Sequence, residues 1–161
     1  MICEVLSFPR VINEKAARTV AGVVALTGAT ALLTGAHWLL VPLAYGFWAR
    51  VLTGPRLSPL ALVASRVVAP RLGPAKVVAG PPKRFAQAIG AALTGAAVVA
   101  LALGLQLVVD ALLAVLLAAA TLESVFALCL GCGIFAVLMR AGMIPAAICA
   151  ECADLSARRP A

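Results

Sequence analysis

The chain has 161 residues, 64% of them hydrophobic and only 12% charged, with mean hydropathy +1.11. A soluble domain is about 45–50% apolar and about 25% charged, so the composition excludes an ordinary soluble fold and points to one integral membrane domain, expected to be all-α. Net charge is +7, and seven cations with no acid (Arg50, Arg56, Arg66, Arg71, Lys76, Lys83, Arg84) fall in one stretch. In a membrane protein such a run marks a cytoplasmic loop, so no nucleic-acid partner is expected.

The chain opens with MICEVLSFPRVINEK, of mixed charge. It lacks a short apolar core followed by a small-residue cleavage site, so the first apolar segment is expected to be retained as a span. The stretch VINEK, with Asn13, Glu14 and Lys15, precedes it and is placed to cap it. Four apolar segments follow, at residues 17–35, 37–53, 86–109 and 111–139. A span needs about 20 apolar residues. The second segment is short and contains Pro42, although Arg50 could snorkel and Trp38, Tyr45 and Trp48 suit an interface. The fourth would make a helix of about 43 Å against a hydrocarbon core of about 30 Å, so it must tilt, break or project.

Charge sets the expected orientation. Arg10, Lys15 and Arg18 precede or open the first segment, the seven cations fill the middle loop, and Arg140, Arg158 and Arg159 follow the fourth. The turn after the first segment has no Lys or Arg, and the loop after the third is expected to hold only Asp110. With four spans all basic regions share one side, the cytoplasm, with both termini there. Within the middle loop, Ser58 and Pro59 form an N-cap and first-turn pair. Leu60, Val63, Ala64 and Val67 recur at helical spacing, predicting an interfacial helix over about 58–70. The stretch GPAKVVAGPPKRF reads as a Pro/Gly linker.

Four of the five cysteines lie in CLGCGIFAVLMRAGMIPAAICAEC, as Cys129/Cys132 and Cys149/Cys152, two C-x-x-C pairs sixteen residues apart. The spacing fits a four-thiolate zinc site. It equally fits dithiol couples, and a cytoplasmic face disfavours a permanent disulfide. Free Cys also packs as a small hydrophobe. All three readings stay open, and zinc is the one cofactor the sequence raises. Gly131 and Gly133 would ease a tight turn around the thiols. Gly142 and Pro145 are expected to end the helix, so that the tail at 140–161 returns as a helical hairpin bringing the second pair to the first.

Glu123 is the other candidate, an acid expected deep in the fourth span. On a straight helix Cys132 lies about 900° on, facing away, and Cys129 about 120° away and about 9 Å along the axis. Only a kink would let Glu123 serve a thiol. The simpler expectation is that it is protonated or paired with Arg18, Thr27 or Gln106. His37 is the single histidine and lies at the opposite face.

The stretches FPRVINEKAAR, GFWARVLTGPRLSPLALVASRVVAPRLG, PPKRFAQAIG, LESVFALCLGC and MRAGMIPAAICAECADL resemble a bacterial, largely actinobacterial, membrane family known as domain of unknown function 4395. The resemblance implies a polytopic protein of the bacterial cytoplasmic membrane. It carries Cys129, Cys132, Cys149 and Cys152 over as family-type cysteines. Relatives often lie beside thioredoxin-like or rhodanese-like genes, which implies thiol or sulfur chemistry with such a soluble partner. Whether the chain is an enzyme, and its oligomeric state, are not readable from the sequence.

Overall fold

The computed structural model describes Pro9 and residues 11–145. The tail pair Cys149 and Cys152, the proposed hairpin and Cys3 lie outside the described residues. A short strand β1 (Val11–Asn13) leads into helix α1 (Glu14–Thr34). Asn13 caps α1 as its sequence position predicts, its side chain accepting from the Lys15 N–H at 3.0 Å. The helix stops at Gly35, whose φ of 70° ends it in the left-handed region. A 3-10 turn (His37–Leu39) turns the chain back into α2 (Leu40–Thr53).

The basic loop is ordered. Ser58 caps a helical segment at 3.4 Å to the Ala61 N–H, and Pro59 takes the first turn. The segment, α3, runs through Pro59–Val63, a π turn at Ala64–Val68, and Ala69–Arg71. Pro70 has no N–H to give to the turn before it, a local reason for the widened turn. The face packed inward is small, with Ser58, Ala61, Ala64 and Ala69 buried, while Val63 and Val67 point out. Of the expected face Leu60, Val63, Ala64 and Val67, Ala64 is buried and Leu60 packs partly against the core, whereas Val63 and Val67 do not, because small side chains let α3 approach α1 closely.

The expected linker holds a strand, β2 (Val77–Ala79), antiparallel to β1 with Ile12 opposite Val78. This corrects the all-α expectation by one two-stranded ribbon, closed by Glu14 N–H to Lys76 O at 2.8 Å and a Lys76–Glu14 ion pair at 2.9 Å. Helix α4 (Gly80–Ala102) follows, then α5 (Gln106–Phe126) and α6 (Leu130–Arg140). The turn between α4 and α5 is Leu103–Leu105 around Gly104, φ 72°. Asp110 therefore sits inside α5 and not in a loop, where it meets His37 Nε2 at 2.9 Å.

Helix α1 packs along α5, α2 along α4, and α4 against α5 and α6. Small residues line these contacts. Gly90 faces the Phe47 ring so closely that no side chain fits there. Around them the core is built from Leu40, Leu43, Phe47, Val109, Leu113 and Leu116. Three helices, α1, α4 and α5, are long and apolar enough to cross a bilayer. Large apolar side chains face outward, including Leu26, Leu33, Val41, Val99 and Leu107. Such a surface is compatible with surrounding lipid.

The expected overlong fourth segment breaks. Helix α5 ends at Phe126, and Ala127 takes φ 58°, ψ 20°. Arg18 on α1 holds this end, its guanidinium donating to Ser124 O at 2.9 and 3.1 Å and to Val125 O at 3.0 Å. A cation on the last carbonyls of a helix satisfies orphan acceptors and favours the dipole. Helix α6 then ends at Arg140, with Gly142 at φ 74°, where the sequence predicts the stop.

Candidate functional site: a half-buried dithiol beside an ion pair

The break at Ala127 decides the site. It makes Cys129 the N-cap of α6, with its sulfur accepting the Cys132 N–H at 3.4 Å. The two thiols are free and half-buried. Gly131 between them lies against Ala86 of α4, where an added Cβ would come within 2.5 Å of the Ala86 Cβ and 2.6 Å of its Cα. Its role is therefore close approach of α6 to α4. Gly133 meets nothing within 4 Å. Phe85 and Phe135 stack beside this crossing with ring centroids 5.7 Å apart.

Glu123 is one turn from the end of α5, not in the middle of a span. It pairs with Lys83, one of the cations expected in the middle loop. Neither Arg18, Thr27 nor Gln106 is its partner: Arg18 caps α5, Thr27 bonds Val23 O in its own helix, and Gln106 begins α5 at the other end. Lys83 is buried and acts electrostatically on Cys129 and Cys132 as well as on Glu123. A buried ion pair needs such surroundings, because either ion alone would be strongly disfavoured.

Arg50 was expected to snorkel, yet it is only 6% exposed. It lies 4.6 Å over the Phe47 ring, gives its Nε–H to Gln87 Oε1 at 2.8 Å, and folds over Gly46, where a Cβ would sit 3.1 Å from Nη1. The missed residues, Lys83, Gln87 and Arg50, carried one readable signal. Lys83 and Gln87 are four apart on the stripe of α4 that continues through Gly90, Ala91 and Thr94, so a packed small-residue face had two polar members.

The two thiols are unequal. The Cys132 thiol donates to the Cys129 sulfur, which outweighs burial and the Glu123 charge and, with help from Lys83 and the Cys132 N–H, lowers Cys129 to about 7. Giving that hydrogen bond, with burial and the neighbouring sulfur, pushes Cys132 up. The outcome is one poised thiolate and one held thiol at a helix N-terminus.

A cavity of about 230 Å³ adjoins Cys129, enclosed by α1, α2, α4, α5 and α6. Its walls are mostly apolar, with Arg50, Gln87, Glu123 and Cys129 supplying the polar part. A second cavity, about 260 Å³, lies under β1 and α3 and shares Arg50 and Gln87 with the first. Among the described residues no three His, Cys, Asp or Glu side chains gather as a metal site. A four-thiolate zinc would need Cys149 and Cys152.

These features define a helical bundle of membrane character with a dithiol at one end. The chain belongs to the family described as domain of unknown function (DUF4395), whose match covers residues 12–140. No curated protein and no solved structure matches it.

Proposed function

We propose that the chain is a thiol-redox or sulfur-relay protein of the bacterial cytoplasmic membrane, with Cys129 and Cys132 as its couple. The carrying observation is Cys129 as N-cap of α6, hydrogen-bonded by Cys132 beside the buried Lys83–Glu123 pair. In this reading α2 is a fourth, short span and the basic end, with both termini, faces the cytoplasm. A thioredoxin-like or rhodanese-like soluble protein is the partner at that face.

The exchange chemistry is as follows. The Cys129 thiolate attacks one sulfur of a partner disulfide, that S–S bond breaks, and the leaving sulfur departs as the partner's thiolate. Cys132 then loses its proton and attacks the Cys129 sulfur of the mixed disulfide. A Cys129–Cys132 disulfide forms and the partner leaves as a dithiol. The reverse sequence oxidises the partner. Cys149 and Cys152 are proposed to undergo the same thiol–disulfide exchange with this couple or with the soluble partner, one S–S bond forming as the other breaks.

The test is a glutathione redox titration of purified protein with parallel metal analysis. A reversible Cys129–Cys132 disulfide in metal-free protein is expected. One zinc per chain with all four thiols reduced would overturn the proposal in favour of a zinc-held scaffold.

A further inference from the structure

The cavity beside Cys129 has a shape and chemistry that the exchange reaction does not use. Val20, Val24, Leu93 and Leu116 line its depth, and Val115, Leu130 and Ile134 lie on its lining while remaining 56%, 51% and 48% exposed. Exposed apolar side chains on α5 and α6 thus form a rim where lipid would lie. Charged aqueous molecules are disfavoured by such walls. At about 230 Å³ the space is below the roughly 300–1,000 Å³ of sites that enclose a drug-sized ligand. It suits a single ring whose tail stays in the bilayer. Arg50 and Gln87 form the donor part of the polar wall, beside Glu123, whose carboxylate is paired with Lys83, and a guanidinium carries five N–H donors, of which Nε–H goes to Gln87. Donors at one wall and the Cys129 sulfur on the same lining, with Cys132 hydrogen-bonded to it from behind, call for a ligand with carbonyl acceptors that takes two electrons.

We infer that this cavity binds the ring of a lipid-soluble quinone, which oxidises the Cys129–Cys132 dithiol. The inference rests on the dithiol reading above and gives that exchange its direction. Two S–H bonds break and one S–S bond forms, releasing two electrons and two protons. The quinone takes up both electrons and both protons, its two carbonyls becoming hydroxyls. No further co-reactant is required. The oxidised couple is then returned to the dithiol by a soluble dithiol protein, which becomes the disulfide. Arg50 and Gln87 bind and orient a quinone carbonyl, and Cys129 is the residue in contact with the ring.

The experiment uses the full chain, reduced, in lipid nanodiscs under anaerobic conditions. Decylubiquinone is the probe, because its fully substituted ring resists thiol addition. Expected is loss of one quinone for each pair of thiols, abolished in Cys129→Ser and Cys132→Ser. Ala119→Phe, which fills the cavity, should lose quinone reduction but keep exchange with a small soluble disulfide. Val115→Trp at the rim serves the same purpose if Ala119→Phe does not fold. Exchange with the soluble disulfide but no quinone reduction in the parent protein overturns the quinone site alone. A parent protein that forms no reversible disulfide with any oxidant overturns both readings. Quinone reduction unaffected in a folded cavity-filling variant places the reaction elsewhere and overturns the site.

Discussion

Replacing Cys132 by Ala isolates the chief cause of Cys129's reactivity. The substitution removes the thiol that donates to the Cys129 sulfur and leaves the Cys132 backbone N–H, at 3.4 Å, in place. With its pKa near 7, Cys129 is about half thiolate at pH 7. Returned to the ordinary value of about 8.5, it would be only about 3% thiolate, roughly a 16-fold fall. A more basic thiolate is also a better nucleophile. With a Brønsted slope of about 0.4–0.5, a rise of about 1.5 units makes each thiolate roughly fivefold faster. The two effects oppose, so the rate at pH 7 should fall only about threefold, while the midpoint of the pH profile moves up by about 1.5 units. The profile is therefore the decisive readout. The assay is the rate of exchange with a small aromatic disulfide across pH, in a chain whose other cysteines (Cys3, Cys149, Cys152) are replaced by Ser. A midpoint that stays near 7 in Cys132→Ala would refute the hydrogen-bond explanation.

Three further outcomes follow from the packing. Lys83→Met strands Glu123 in a largely buried setting and should destabilise the protein by about 3–5 kcal/mol in detergent denaturation. The double variant Lys83→Met/Glu123→Leu should recover most of that, and no recovery would sink the pairing argument. Ala127→Gly relieves an L-residue at φ 58° and should stabilise by about 1 kcal/mol; a lower melting temperature would contradict the strain assigned there. Gly131→Ala drives a methyl into Ala86 and should cost about 1–3 kcal/mol, whereas Gly133→Ala, inside α6 with open space around it, should stabilise by up to about 1 kcal/mol through helix propensity.

Local signals were readable wherever they depend on neighbours in sequence. Asn13 and Ser58 cap the helices their positions predict, and Gly142 follows the end of α6. The membrane character followed from apolar length and composition, and three helices meet that measure. The β1–β2 ribbon was hidden because its strands have three residues each and are separated by 63 positions, too little local pattern for a pairing to register.

The site divides along the same line. Sequence alone determined that a C-x-x-C pair and an intramembrane-type acid occur within ten residues, and bilayer arithmetic required the fourth segment to tilt, break or project. It could not choose the break, because Ala127 is an ordinary helix former and no Gly or Pro marks the point. Only the tertiary structure decided that, through Arg18 of α1 holding the carbonyl end of α5 and Gly131 letting α6 cross α4 at Ala86. Lys83, Gln87 and Arg50 became site residues for the same reason. A cation's burial is set by what packs over it, and here the covering helices come from distant parts of the chain.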